Sequence, residues 1–152
     1  DPASPVKREG TINAIATGAE SIVMGGFLRK QRLAARYSSS GQKPGLSPPL
    51  IRGPDAMAAS EDSRDAHHGV LAAGTRSGSV VAMGGTSVAA PAIARWIADE
   101  LAAGNSGDRP AVQNRAVADD LYLSPPPQPS PECGGAGRTR LRPIVPLNRL
   151  DE

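Results

Sequence analysis

Apolar and polar positions change period twice along this chain, and the changes mark out its elements. Thr11 to Thr17 alternates Ile12, Ala14 and Ala16 against Thr11, Asn13, Ile15 and Thr17, a weak strand signal. Ser21-Ile22-Val23-Met24 is a short apolar run ended by Gly25-Gly26, the pattern of a strand buried on both faces in a parallel sheet. Val70-Leu71-Ala72-Ala73 and Ser79-Val80-Val81-Ala82-Met83 read as two strands around the turn Gly74-Thr75-Arg76-Ser77-Gly78. From Ser87 the period becomes helical. Ile93, Trp96, Ile97 and Leu101 share a face at i, i+3, i+4 and i+8, and alanines at 89, 90, 92, 94, 98, 102 and 103 suit a helix packed closely on a sheet. Pro91 is expected in the first turn, where its missing N–H costs nothing, and Gly104 is a natural stop. A further short helix is expected around Val112 to Leu121.

Between these elements the chain is loop-like. Asp1 to Gly10 is expected to be exposed, Phe27 to Arg36 to be a basic, solvated excursion, and Gln42 to Pro54 to be a Pro/Gly-rich loop. Asp55 to Ser60 is small and apolar, and Glu61 to His68 is charged. Ser124 to Pro131, with five prolines in eight residues, is expected to be polyproline II or irregular. Arg138, Arg140, Arg142 and Arg149 make the end basic. No internal repeat is present.

Composition sharpens this division. Leu, Ile, Val and Phe together number 28 of 152 residues, below the ~20% associated with a full core, while Gly and Pro number 32, well above the usual ~12%. A net charge of +2 nevertheless argues against wholesale disorder. Composition therefore predicts a real core in part of the chain, with long loops and at least one loose tail; with the elements above, the expectation is an α/β domain over residues 1–104 and a Pro/Arg-rich, largely irregular extension over 105–152.

Charge and cysteine content exclude several functions. Seventeen basic residues stand against 15 acidic ones with no aromatic interleaving, which argues against nucleic-acid binding despite a pI near 9.0. No apolar run approaches the ~18 residues of a membrane span, and no charged-then-apolar leader opens the chain. One cysteine, Cys133, builds no disulfide framework, so compartment stays open. One Cys and the adjacent His67 and His68 offer no metal-ligand spacing, and no cofactor is expected.

The stretch that carries chemistry is Gly84-Gly85-Thr86-Ser87-Val88-Ala89-Ala90-Pro91. A serine at a helix start lies where unpaired backbone N–H groups and the positive end of the helix dipole converge, so an oxygen attacked there can be stabilised as an anion. The alternative reading is that Ser87 is an ordinary N-cap after a glycine turn.

Beyond its local chemistry, Gly85-Thr86-Ser87-Val88-Ala89-Ala90-Pro91 resembles the catalytic-serine motif of the subtilisin-like serine proteases. Four further stretches resemble that family in its order: Pro2-Ala3-Ser4, Ile22-Val23-Met24-Gly25-Gly26, Tyr37-Ser38-Ser39-Ser40-Gly41 and Asp55-Ala56-Met57-Ala58. The resemblance spans about Pro2 to Ala103. It implies part of a subtilisin-like parallel sheet with a buried helix bearing Ser87 as catalytic nucleophile, acting on a polypeptide substrate. Two departures stand out: Ala59-Ser60 replaces the family's Pro-Gly, and Arg95 stands where it commonly has Gly.

In the family the aspartate, histidine and oxyanion asparagine precede the serine in sequence. Here His67 and His68 lie in a charged loop close to Ser87, and Asn105 follows it. His68-Gly69-Val70-Leu71-Ala72-Ala73-Gly74-Thr75 echoes the family's histidine motif only superficially, and Asn105 reads as the polar loop after a helix. The expectation is the C-terminal part of a peptidase, nearly inert alone. A truncated sheet would leave open edges, and self-association or a partner chain is expected there. The competing reading is a degenerate protease-like binding or scaffold module whose Pro126-Pro127-Gln128-Pro129 tail is functional.

Overall fold

The computed structural model describes residues 9–42, 53–62, 69–122 and 131–140. They form a mixed α/β fold. β1 (Met24–Leu28) pairs in parallel with β2 (Ala56–Glu61), and β3 (Val70–Ala73) pairs antiparallel with β4 (Val80–Met83). Three helices follow: α1 (Thr86–Ala102), α2 (Arg109–Tyr122) and the single turn α3 (Pro131–Gly134).

Small residues let α1 lie close on the parallel pair. Ala56 and Ala58 of β2, Ala89 and Ile93 of α1, and Val112 and Ala116 of α2 make one buried cluster, bordered by Ile22, Met24, Trp96, Ile97 and Ala136. Positions i and i+2 of a strand share a face, so Ala56, Ala58 and Ser60 all turn towards α1. β1 begins two residues later than the Ile22-Val23 run suggests and continues through the glycines into buried Phe27 and Leu28. The glycines are interior strand residues: a Cβ on Gly25 would meet Ser38 Oγ at 3.2 Å and Met57 Cγ at 3.3 Å. The expected solvated excursion is not one: of residues 29–36 only Arg29, Lys30 and Arg36 are exposed, Ala35 is buried with its amide on the Gly26 carbonyl, and Arg29 and Lys30 pair with Asp62 at 2.8 and 3.2 Å.

The other edge of β2 is covered from the C-terminal side. Met57 N–H donates to the Gly137 carbonyl and Thr139 N–H to the Met57 carbonyl, both at 2.8 Å, so Arg138 makes an isolated parallel bridge to Met57. Arg138 is buried there against Asp120 of α2. Asp55, just before β2, ties the pieces together. Its carboxylate accepts from Val23 N–H at 2.8 Å and lies 3.0 Å from Arg109 Nε, while its carbonyl accepts from Ala136 N–H at 2.9 Å.

Three expectations are corrected by these observations. The described part of 105–152 is not an irregular extension, because α2 and 131–140 supply core residues and close the sheet edge. Asp108 starts α2 by accepting the Ala111 amide at 2.9 Å, which holds its carboxyl below the usual range. The alternation at Thr11–Thr17 ends not in a strand but in a 3-10 turn at Ala14–Thr17, because the Asn13 side chain accepts from Ile15 N–H at 3.0 Å and caps it. The serine-bearing helix is also not buried as a whole: of α1 only Ala89 and Ile93 are, and Leu101 is exposed. The Pro-rich stretch 124–130 and both histidines lie outside the described residues.

Candidate active site

Ser87 is reached through a hairpin and a glycine hinge. The turn at 74–78 reverses β3 into β4 with Gly78 at φ +72°, and Met83 then leads into Gly84-Gly85. Gly85 is the N-cap of α1 at φ +140° and ψ +156°, a conformation essentially restricted to glycine, and having no side chain it makes no side-chain cap. Val88 N–H closes back onto the Gly85 carbonyl at 2.9 Å.

Thr86 and Ser87 are therefore the first and second helical residues. Ser87 is not the N-cap, and its exposed hydroxyl has no hydrogen-bond partner among the described residues. Neither the Thr86 nor the Ser87 amide is engaged by a described group, and both belong to the first turn at the positive end of α1. Pro91 falls one turn deeper than expected. As the sixth helical residue it cannot donate to the Ser87 carbonyl, so one bond of the serine's own turn is missing.

The floor beneath this turn is the end of β2. The β1–β2 register slips between Phe27 and Leu28, which pair with Ala59 and Glu61, so Ser60 is an extra, bulged residue. Its carbonyl accepts from Gly85 N–H at 3.2 Å. Its hydroxyl donates to the Phe27 carbonyl at 3.3 Å and accepts from the Tyr37 hydroxyl at 3.0 Å. Glu61 packs against Gly84, leaving no room there for a side chain. Burial raises the Tyr37 phenol pKa above its ordinary value, and the nearby Glu61 charge adds to it.

The residues carrying the family resemblance have distinct places. Ser38 accepts Gly26 N–H at 3.0 Å and so braces β1, whereas Asp55 is a structural tie. Asn105 belongs to the end of α1: its amide reaches the Glu100 carbonyl at 2.9 Å and Gly104 sits at φ +81°, a Schellman arrangement. It stands at the opposite end of the helix from Ser87. No motif in the sequence marks Ser60, Tyr37 or Glu61 for chemistry, although the departure at Ala59-Ser60 marks the place. Among the described residues no cluster of His, Cys, Asp or Glu could hold a metal ion, and no helix is long and apolar enough to cross a membrane. No protein-family model matches the chain, and no curated protein matches it either.

Proposed function

We propose that this chain is the C-terminal part of a subtilisin-like serine endopeptidase in which Ser87 attacks the peptide carbonyl and forms an acyl-enzyme. One observation carries the reading: an exposed serine hydroxyl at the second position of α1 lies beside free amides, behind a glycine hinge whose conformation few residues adopt. A tetrahedral oxyanion beside Ser87 would take a hydrogen bond from the Ser87 N–H. The parallel β1–β2 pair and the hairpin leading to the serine are consistent with the order of the family-like stretches.

A serine hydroxyl needs a base to take its proton, and no described residue stands hydrogen-bonded to it. With no general base, worth about 10²–10⁴-fold, positioned on Ser87 among the described residues, this reading expects the 152-residue chain alone to be close to inert. The exposed apolar residues Leu71 and Val80 of the β3–β4 hairpin favour the second reading, a degenerate protease-like binding or scaffold module. A fluorophosphonate probe separates the two. Under the peptidase reading, Ser87 labels slowly in this chain and rapidly once the coding sequence upstream of Asp1 supplies Asp and His motifs, and Ser87→Ala abolishes labelling. An upstream-extended protein that neither labels nor cleaves peptides overturns it and leaves the binding module.

A further inference from the structure

The geometry points to Tyr37 and Ser60 as a pair of positioning residues for Ser87: a phenol-to-hydroxyl hydrogen bond holds the β2 bulge, and the bulged residue's carbonyl holds the last amide before the serine helix. This rests on the peptidase reading of Ser87.

The chain of contacts is short and each link is directional. The Tyr37 hydroxyl donates to Ser60 Oγ at 3.0 Å, and Ser60 Oγ donates onward to the Phe27 carbonyl at 3.3 Å. Both roles of that hydroxyl, donor and acceptor, are filled. Ser60 is wholly buried, so its position follows these bonds and not solvent. Its carbonyl then takes Gly85 N–H at 3.2 Å, two residues before the serine.

A bulge is the natural device for this. A regular parallel ladder would pair Ser60 with β1 and leave its carbonyl in the sheet; the extra residue frees it to face the Gly84-Gly85 hinge. Gly26 completes the seat, since a Cβ there would meet Ser60 Oγ at 2.5 Å and the Thr86 methyl at 3.3 Å. The Ser87 hydroxyl and amide thus inherit their position from β2. Reacting groups need placement within about 0.5 Å, which a free glycine hinge would not supply.

Tyr37 is 44% exposed, so Tyr37→Phe removes the hydroxyl without opening the core. The test is amide exchange and ¹⁵N–¹H shifts in the 152-residue chain. Expected in Tyr37→Phe are displaced Gly85, Thr86 and Ser87 resonances and about five- to tenfold faster Gly85 exchange, the effect of one neutral hydrogen bond, with Val112 and Ala116 unchanged. Ser60→Ala is expected to do the same, and the double variant to add little to it. If Ser60→Ala does not fold, Tyr37→Phe alone decides. Unmoved Gly85–Ser87 amides, or an equal change throughout the core, overturn the proposal. In the upstream-extended protein the labelling rate of Ser87 is expected to fall about tenfold on Tyr37→Phe, with probe affinity unchanged, and an unchanged rate in an active protein likewise overturns it. An extended wild-type protein that is inert overturns the peptidase reading instead, while the amide measurements still decide whether Tyr37 and Ser60 place Ser87.

Discussion

Arg138 and Asp120 form an ion pair closed off from solvent, Nε to Oδ1 at 2.5 Å, with side chains 1% and 3% exposed. The guanidinium also donates from Nη1 to the Arg32 carbonyl at 2.6 Å, so one side chain links the bridge to β2, α2 and the loop after β1. Nη2 of Arg138 and Oδ2 of Asp120 have no partner among the described residues. Such a pair is costly to break from one side, because the remaining charge is left buried and uncompensated. Asp120→Leu or Arg138→Met alone is expected to destabilise by about 3–5 kcal/mol, lowering the thermal midpoint by about 10 °C for a chain of this size. The double variant Asp120→Leu/Arg138→Met is expected to lose far less. Circular dichroism melts check this, and equal losses in single and double variants would contradict it.

Gly26 and Gly104 separate two reasons for glycine. At Gly26 the obstacle is space: an added Cβ lies 2.5 Å from Ser60 Oγ and 2.8 Å from Ser60 Cβ. At Gly104 nothing lies near, and the obstacle is the φ of +81°. Gly26→Ala is expected to cost about 1–3 kcal/mol through overpacking, and to disturb the Ser87 turn as well. Gly104→Ala is expected to cost about 1 kcal/mol and to leave that turn alone. Denaturant titrations followed by the fluorescence of Trp96, the chain's sole tryptophan, measure both. A Gly26→Ala protein as stable as wild type would mean that Ser60 yields more readily than its buried hydrogen bonds indicate.

What the sequence makes legible here is what is encoded locally. The α1 period, the Gly104 stop and the 74–78 turn depend on residues a few positions apart, and the structure has all three. Gly25-Gly26 misled because local pattern treats a glycine pair as a terminator. The structure needs it inside β1, where Met57, Ser38 and Ser60 crowd in from distant segments. The Arg138–Asp120 pair and the covering of β2 by residues 137–139 join positions with no periodic relation, so nothing in the basic C-terminal pattern announces them. The place of Ser87 near the start of a helix was legible; its floor was not, since a bulge is set by register against another strand.

The β3–β4 hairpin presents an apolar face without a cover among the described residues. Leu71 pairs with Ala82 and Ala73 with Val80, which puts these four on one side, and Leu71 and Val80 are 73% and 57% exposed. Exposed apolar strands associate, and a charge on the face opposes it. Leu71→Lys/Val80→Lys is expected to shift the chain towards monomer in sedimentation velocity with little change in thermal midpoint. Association that persists unchanged would place the contact on another surface.

The Tyr37 phenol gives the site a pH signature with a definite sign. Burial, reinforced by the Glu61 charge, raises its folded pKa above the ordinary value. The fold therefore favours the neutral phenol. That contribution is fully present below the unfolded pKa, about 10 for tyrosine, and is lost as pH rises through the higher folded value. The chain has two tyrosines, so a Tyr122→Phe background leaves Tyr37 as the single phenol for absorbance titration. Its midpoint is expected above that of free tyrosine, and Glu61→Gln is expected to move it part of the way back by removing the charge. Loss of the phenol proton also removes the donor to Ser60 Oγ, so Gly85 exchange, corrected for its intrinsic rise with pH, should accelerate across the same interval. A midpoint at or below the ordinary value would mean that Tyr37 is not held against Ser60 and Glu61 in solution.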